Sequence, residues 1–222
     1  YELSLTSNYV RDWDITDAVR EFFQNALDQE TQNSENTAYY NYDATTETMT
    51  IGNRLSVLSA KSLLLGHTSK NDNDFTVGQF GEGYKIATLV ALRTGHPVTI
   101  YNYGKKEVWR PRMVKSRRYE GEQILTFFTE KHVFTSVPHN NLEITIENIS
   151  EEEYHLIVET NLHLQEERGP VNSTLYGDIL REERYRGRIY VNGLFITQLE
   201  GFEFGYDIKP ALIDVDRDRG MV

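Results

Sequence analysis

Glu21-Phe22-Phe23-Gln24-Asn25-Ala26-Leu27-Asp28 is the stretch on which the reading of this chain turns. On a helix that advances about 100° per residue, with Glu21 set at zero, Asn25 falls at about +40°, Asp28 at about −20° and Asp17 at about −40°. Val19, Phe22, Phe23 and Ala26 cluster on the other side, between about 100° and about 200°. One face therefore stacks a carboxylate, an amide and a second carboxylate, while the other is apolar enough to lie on a sheet. The helix extends outward over residues 12–30, with Asp14 or Thr16 as its cap and Ile15, Ala18, Val19, Phe22, Ala26 and Leu27 at helical spacing. The polar stripe has two readings. It is a solvated helix face, or it is a metal–nucleotide site. In the second, Glu21 orients or deprotonates a water and Asn25 offers a hard, neutral oxygen suited to Mg²⁺.

The next informative stretch is Gly78-Gln79-Phe80-Gly81-Glu82-Gly83, which runs straight into a helical pattern over residues 84–93 closed by Gly95 and Pro97. Glycines let a ligand approach the backbone closely. Successive N–H groups and the following helix N-terminus then favour an anion such as a triphosphate. The spacing is neither the dinucleotide fingerprint nor the P-loop. Without a ligand, the same glycines read as a flexible turn.

Strands are expected at residues 38–42 and 47–51 around a turn at 43–46, then at 98–103, 107–110, 124–129 and 142–146. A short helix is expected at 59–65, a polar loop at 68–74 and a helix with an acidic first turn at 151–164. Gly169-Pro170 marks the best internal boundary, and Asn192-Gly193 between apolar strands at 188–191 and 194–197 predicts a type I′ hairpin. The mixture is α+β with a mixed sheet, not a regular βαβ alternation.

Composition narrows the function classes. The 222 residues are 39% hydrophobic and 26% charged, and 23 basic against 34 acidic side chains give 23 − 34 = −11. That argues against a surface built wholly to grip nucleic acid or an anionic membrane. No apolar run approaches the length of a membrane span, and no signal-peptide pattern opens the chain, so no membrane partner is expected. Cysteine is absent, which excludes a disulfide framework, a thiolate zinc site and a cysteine nucleophile and fits a reducing, cytoplasmic compartment. The chain opens on Tyr1 rather than Met and reads as part of something longer.

In order, Glu21–Asp28 resembles the first motif of the GHKL ATPase superfamily (gyrase, heat-shock chaperone, histidine kinase, MutL), and Gly78–Tyr84 resembles its later glycine box. Gly66-His67-Thr68-Ser69-Lys70 is similar to the stretch that opens the ATP lid. The resemblance covers residues 12–95 and, more loosely, 142–164. It implies the Bergerat fold: a two-layer sandwich whose mixed, mostly antiparallel sheet carries helices on one face. It also implies a nucleotide-binding domain over residues 1–165, followed by a C-terminal extension over 166–222. That extension either packs on the same domain or leads into a further one. Carried over, Glu21 is the general base and Asn25 the Mg²⁺ ligand. Asp28, Lys70, Gly78, Gln79, Phe80, Gly81, Glu82, Gly83, Tyr84 and Lys85 belong to the nucleotide site, as does Thr145 on the late strand. Histidine kinases typically lack the carboxylate at the Glu21 position, so the site resembles a hydrolase. Lys85 is either a phosphate ligand, as in the MORC branch, or a solvated surface lysine.

One departure stands out. The family's Asp-x-Gly-x-Gly box is missing, and Thr50-Ile51-Gly52-Asn53-Arg54-Leu55-Ser56 occupies its place. By register, Asn53 stands where the adenine-reading Asp would be; its amide accepts more weakly than a carboxylate and can also donate. Three function classes follow: a slow Mg²⁺-dependent ATPase, a nucleotide-binding switch that barely hydrolyses, and an interaction module without ligand. The ATPase reading brings a homodimer through the N-terminal region and an unnamed protein or nucleic-acid client. Arg217 and Arg219 read as a solvated chain end or as a γ-phosphate sensor. Arg110, Arg112, Lys115, Arg117 and Arg118, with Trp109 and Tyr119, read as a charged hairpin or as a nucleic-acid patch.

Overall fold

The computed structural model describes residues 1–63, 83–135 and 140–210. The first helix, α1 (Ile15–Gln32), starts where Asp14 closes a capping box: its Oδ1 accepts from Thr16 N at 2.8 Å, and Asp17 Oδ2 accepts from Asp14 N at 3.0 Å. Ile15, Ala18, Val19, Phe22, Phe23, Ala26 and Leu27 are buried, which is the apolar face the wheel predicts.

The chain divides into two units, Tyr1–Tyr154 and His155–Val222. In the first, strands β1 (Glu2–Thr6), β2 (Ala38–Asp43), β3 (Thr48–Asn53), β4 (Val98–Asn102), β5 (Glu107–Lys115), β6 (Gln123–Lys131) and β7 (Leu142–Ile146) form one seven-stranded sheet. Their order is β1-β6-β5-β4-β7-β3-β2, and each pairing is antiparallel. Helices α1 and α2 (Gly83–Arg93) pack on each other and on this sheet, α1 against β2 and β3, α2 against β4 and β5. Met49, Ile51, Ile100, Trp109, Phe127, Ile144 and Ile146 fill the space between. This α+β arrangement, a large antiparallel sheet with helices on one face, is Bergerat-like.

α2 is buried on nearly every side, Tyr84 through Ala91, so it runs through the core rather than over it. It closes on Gly95 at φ 94°, where His96 N donates to Ala91 O at 2.8 Å. At that end Arg93 gathers the segment before α1. Its guanidinium donates to the carbonyls of Ser7 (3.1 Å), Tyr9 (2.8 Å), Val10 (3.0 Å) and Trp13 (2.8 Å).

The division between the units falls within α3 (Glu151–Glu159), which stops five residues short of its expected end at 164. In the second unit, β8 (Val171–Ser173), β9 (Gly177–Leu180), β10 (Arg188–Val191), β11 (Leu194–Gln198) and β12 (Gly205–Ile208) form a sheet in the order β11-β10-β12-β9-β8. The parallel pairing expected of a mixed sheet lies here, between β10 and β12. Leu162, Leu180, Tyr185 and Tyr190 make its core. The hairpin at Asn192-Gly193 has both residues at positive φ, 51° and 75°, as a type I′ turn requires. No helix among the described residues is long and apolar enough to cross a membrane.

Candidate functional site

The first residue of α2 meets the polar stripe of α1. A Cβ added at Gly83 would fall 2.8 Å from Glu21 Oε2 and 3.5 Å from Asn25 Nδ2. A side chain at this position would displace the Glu21 carboxylate and would touch Asn25 at ordinary contact distance. Two features separated by 57 residues of sequence, the carboxylate–amide pair and the last glycine of the glycine run, thus meet in space.

Glu21 is buried, with 9% of its surface exposed. Asn25, one turn on, donates from Nδ2 to the Glu21 carbonyl at 2.7 Å. A carbonyl can only accept, so this bond fixes the amide and leaves Oδ1 as its acceptor. Asp28 is exposed at the far end of the stripe and accepts from Gln24 Nε2. Of the sequence-predicted residues, Glu21, Asn25 and Gly83 are brought together, and Asp28 lies on the solvent side of the same helix.

Lys85 overturns one expectation. It is not a solvated lysine but a buried one, 1% exposed, in the first turn of α2. Burial pulls its ammonium down from the usual lysine range to about 8. The Lys85 ammonium lies 5.9 Å from the centre of the ring of its neighbour Tyr84. The ring is buried edge-on to Phe127 at 6.4 Å, its hydroxyl lies 3.1 Å from Ser62 Oγ, and burial raises its pKa. Position 84 therefore has only its backbone to offer a ligand.

Asn53 ends β3 and is 2% exposed. Its Nδ2 donates to the carbonyls of Ala26 on α1 (2.9 Å) and Asn36 (3.4 Å), tying the sheet to the helix. Asn36 is itself buried, donating to Ser56 Oγ at 2.7 Å and accepting from Leu55 N at 3.2 Å. Asn36 and Ser56 escape sequence reasoning, because a lone Asn or Ser in a polar loop carries no spacing signal. Gly52 is explained by packing: the ring of Tyr39 lies where a Cβ would stand.

Thr145 does not join this site. Leu142, Ile144 and Ile146 share the sheet face of Ile51 and Asn53, which looks toward α1. Alternation puts Thr145, with Glu143 and Tyr39, on the opposite face. Lys70, Gly78, Gln79, Phe80, Gly81 and Glu82 lie outside the described residues, as do the lid stretch at 66–70, Arg217 and Arg219. In the basic stretch, Trp109 is buried in the core and does not interleave with the arginines, and Arg110 pairs with Glu130 on β6.

No group of three or more His, Cys, Asp or Glu side chains among the described residues is arranged to hold a metal. Mg²⁺ commonly takes one or two protein oxygens and fills the rest of its shell with water and phosphate. Asn25 Oδ1 is an oxygen of that type, on the side-chain amide whose Nδ2 lies beside the start of α2.

A family model described as the Mycoplasma pneumoniae MPN635 N-terminal domain matches residues 152–221. An uncharacterized protein of Mycoplasma pneumoniae (strain ATCC 29342 / M129 / Subtype 1) is 27% identical over 206 residues, 89% of this chain and 79% of that protein. Among solved structures, the ATPase region of Saccharomyces cerevisiae topoisomerase II aligns over 82% of this chain and 62% of its own, at 11% identity and a TM-score of 0.43. The same region bound to ICRF-187 (dexrazoxane) aligns over 82% and 48%, at 12% identity and 0.38. The ATPase and transducer domains of DNA topoisomerase II from Balamuthia mandrillaris align over 60% and 37%, at 17% identity and 0.36. The chain spans less than two thirds of each of these three structures. The superpositions are too loose for any residue to be carried across.

Proposed function

We propose that the first unit is a Mg²⁺-dependent, slowly hydrolysing ATP-binding domain of the GHKL type that drives a conformational or dimerisation switch. The observation that carries this reading is the approach of Gly83 to Glu21 and Asn25, at 2.8 and 3.5 Å from an added Cβ. It sets the Glu21 carboxylate and the Asn25 side-chain amide at the positive end of a helix, with a buried lysine in its first turn.

Each group has a task. Glu21 orients the water that attacks the γ-phosphorus and takes up its proton. Asn25 Oδ1 would hold the Mg²⁺, which supplies charge neutralisation at the phosphates when bound. The first backbone amides of α2 and the Lys85 ammonium donate toward the phosphate oxygens. With Nδ2 committed to backbone carbonyls, Asn53 has only Oδ1 for a base. That oxygen suits the amino group of adenine and opposes the carbonyl of guanine.

Mg·ATP binding and phosphate release by wild type, Glu21→Ala and Asn25→Ala test the reading. It expects wild type to bind and turn over, Glu21→Ala to bind without turnover, and Asn25→Ala to lose Mg²⁺-dependent affinity. Binding without wild-type turnover would favour a nucleotide-binding switch, and no binding by any of the three would leave an interaction module. Comparing ATP with GTP on the wild type tests the base, with ATP expected to bind tighter.

A further inference from the structure

β4 and β5 begin as partners and then separate. Their ladder joins Ile100 to Trp109, Tyr101 to Val108 and Asn102 to Glu107, and goes no further. Yet β5 continues to Lys115 against β6, and β4 starts at Val98 against β7. Pro111 is the cause. Its partner on β6 is Phe127, whose N–H donates away from β5, to Tyr1 O at 2.8 Å. The main-chain groups of Pro111 and Phe127 therefore point away from each other, and those of position 111 point toward β4. Proline has no N–H to send there. On the other strand, the Pro97 carbonyl accepts from Glu147 N at 2.9 Å on the β7 side. By alternation, the main-chain groups of Val98 face β5, across from the missing donor.

The sheet opens at this point into a cleft of about 480 Å³ with apolar walls from Pro97, Val98, Pro111 and Met113. Its size is within the roughly 300–1,000 Å³ of small-molecule sites. Its charged lining is split between two walls. Arg110 and Arg112 come from β5, and Glu147 comes from the end of β7. Arg110 is held by Glu130. Arg112 is exposed, its guanidinium 6.0 Å from the centre of the Phe128 ring. Neither Arg112 nor Glu147 enters an ion pair among the described residues, so the two walls do not neutralise each other. The C-terminal end of α2, which lines the cleft through Leu92 and Gly95, adds partial negative charge.

We infer that this cleft binds a small zwitterion with an apolar body, such as leucine or a leucine dipeptide. The carboxylate sits on Arg112, the ammonium on Glu147, and the hydrocarbon against Val98, Pro111 and Met113. A simple carboxylate leaves Glu147 facing it, and a simple amine leaves Arg112 facing it; only a ligand with both charges matches both walls. The cleft lies at the opposite end of the 11-residue α2 from Gly83, roughly 16 Å along the helix. It is separate from the proposed nucleotide site and does not depend on it.

The chain has three methionines, Met49, Met113 and Met221; of the two among the described residues, Met113 lines the cleft and Met49 does not. Methyl-¹³C-methionine NMR of the full chain, titrated with L-leucine, L-leucyl-L-leucine, 4-methylpentanoate and 3-methylbutylamine, reads the site directly. The two zwitterions are expected to shift Met113 and leave the buried Met49 in place. Each single-charge analogue should bind about tenfold or more weakly, the worth of one charge-assisted contact. Glu147→Gln should erase the preference for leucine over 4-methylpentanoate, and Arg112→Gln the preference over 3-methylbutylamine. Both side chains are exposed, so both variants should fold. A Met113 signal that neither zwitterion moves, a single-charge analogue that binds as tightly as leucine, or preferences that survive both substitutions would overturn the inference.

Discussion

At its first residue α2 meets α1 with no side chain of its own, so that Glu21 and Asn25 lie against the Gly83 backbone. At its last turn the same helix extends a long side chain, Arg93, whose guanidinium holds four carbonyls of the segment before α1. One end is shaped by close approach, the other by hydrogen bonds. The difference teaches where chemistry and stability should separate. Substitution at the Gly83 end should disturb reactivity with little effect on folding, and substitution at the Arg93 end should do the reverse.

The largest expected effect is at the Arg93 end. Arg93→Ala strips donors from four carbonyls at once and should lower unfolding stability by about 4 kcal/mol, read from urea titration. Mg·ATP affinity of the remaining folded fraction should stay within about threefold. Intact stability, or a selective loss of nucleotide affinity, would break the contrast.

Asn53→Asp comes next. It restores the residue type that the resembling family uses, but here Nδ2 faces the carbonyls of Ala26 and Asn36. A carboxylate oxygen in its place meets two acceptors, at a cost of about 2–3 kcal/mol. A stable Asn53→Asp protein with improved ATP affinity would show that the tie between β3 and α1 matters less than its geometry indicates.

Gly83→Ala should reduce phosphate release about tenfold or more by displacing the Glu21 carboxylate. Its stability should change by no more than about 1 kcal/mol, because alanine suits a helix and the group it meets is the end of a flexible side chain. Unfolding at this substitution would mean that the two ends of α2 do not divide the labour.

The smallest effect concerns Lys85. Burial lowers its folded pKa to about 8, below the unfolded value of about 10.4. Between these values the unfolded chain binds more protons. Stability contributed by this group should therefore rise with pH across that window and be penalised below it. A bound polyphosphate favours the ammonium, so ATP binding at about pH 8.5 should take up protons, a fraction of one per site, seen by calorimetry in buffers of different ionisation enthalpy. Lys85→Met should abolish that uptake.

The parts of this molecule legible in the sequence are those whose signal repeats or is chemically obligatory. The apolar face of α1 recurs turn after turn, and Asn192-Gly193 states its turn type outright. β1 pairs with β6 more than a hundred residues away, and its alternating Leu3 and Leu5 span too few positions to stand out at a chain end. β8, β9 and β12 hold three or four residues each, too short for periodicity to speak. β5 runs past its expected end at Arg110: Pro111 turns its missing N–H toward β4, and the strand survives on its β6 side. Which side a proline faces is a tertiary fact. In the site, Glu21 and Asn25 are readable from spacing, while the burial of Lys85 depends on α2 running through the core. Thr145 is placeable from the sequence: its parity with Ile144 and Ile146 already assigns it to the other face.

The most direct test of the central claim is phosphate release from Mg·ATP by wild type and Glu21→Gln, with binding measured on the same samples. Slow release by wild type is predicted, with Glu21→Gln binding within about threefold and its release lower by roughly 10²–10⁴-fold. Undiminished release by Glu21→Gln, or no Mg·ATP binding by the wild type, would contradict the assignment of this site.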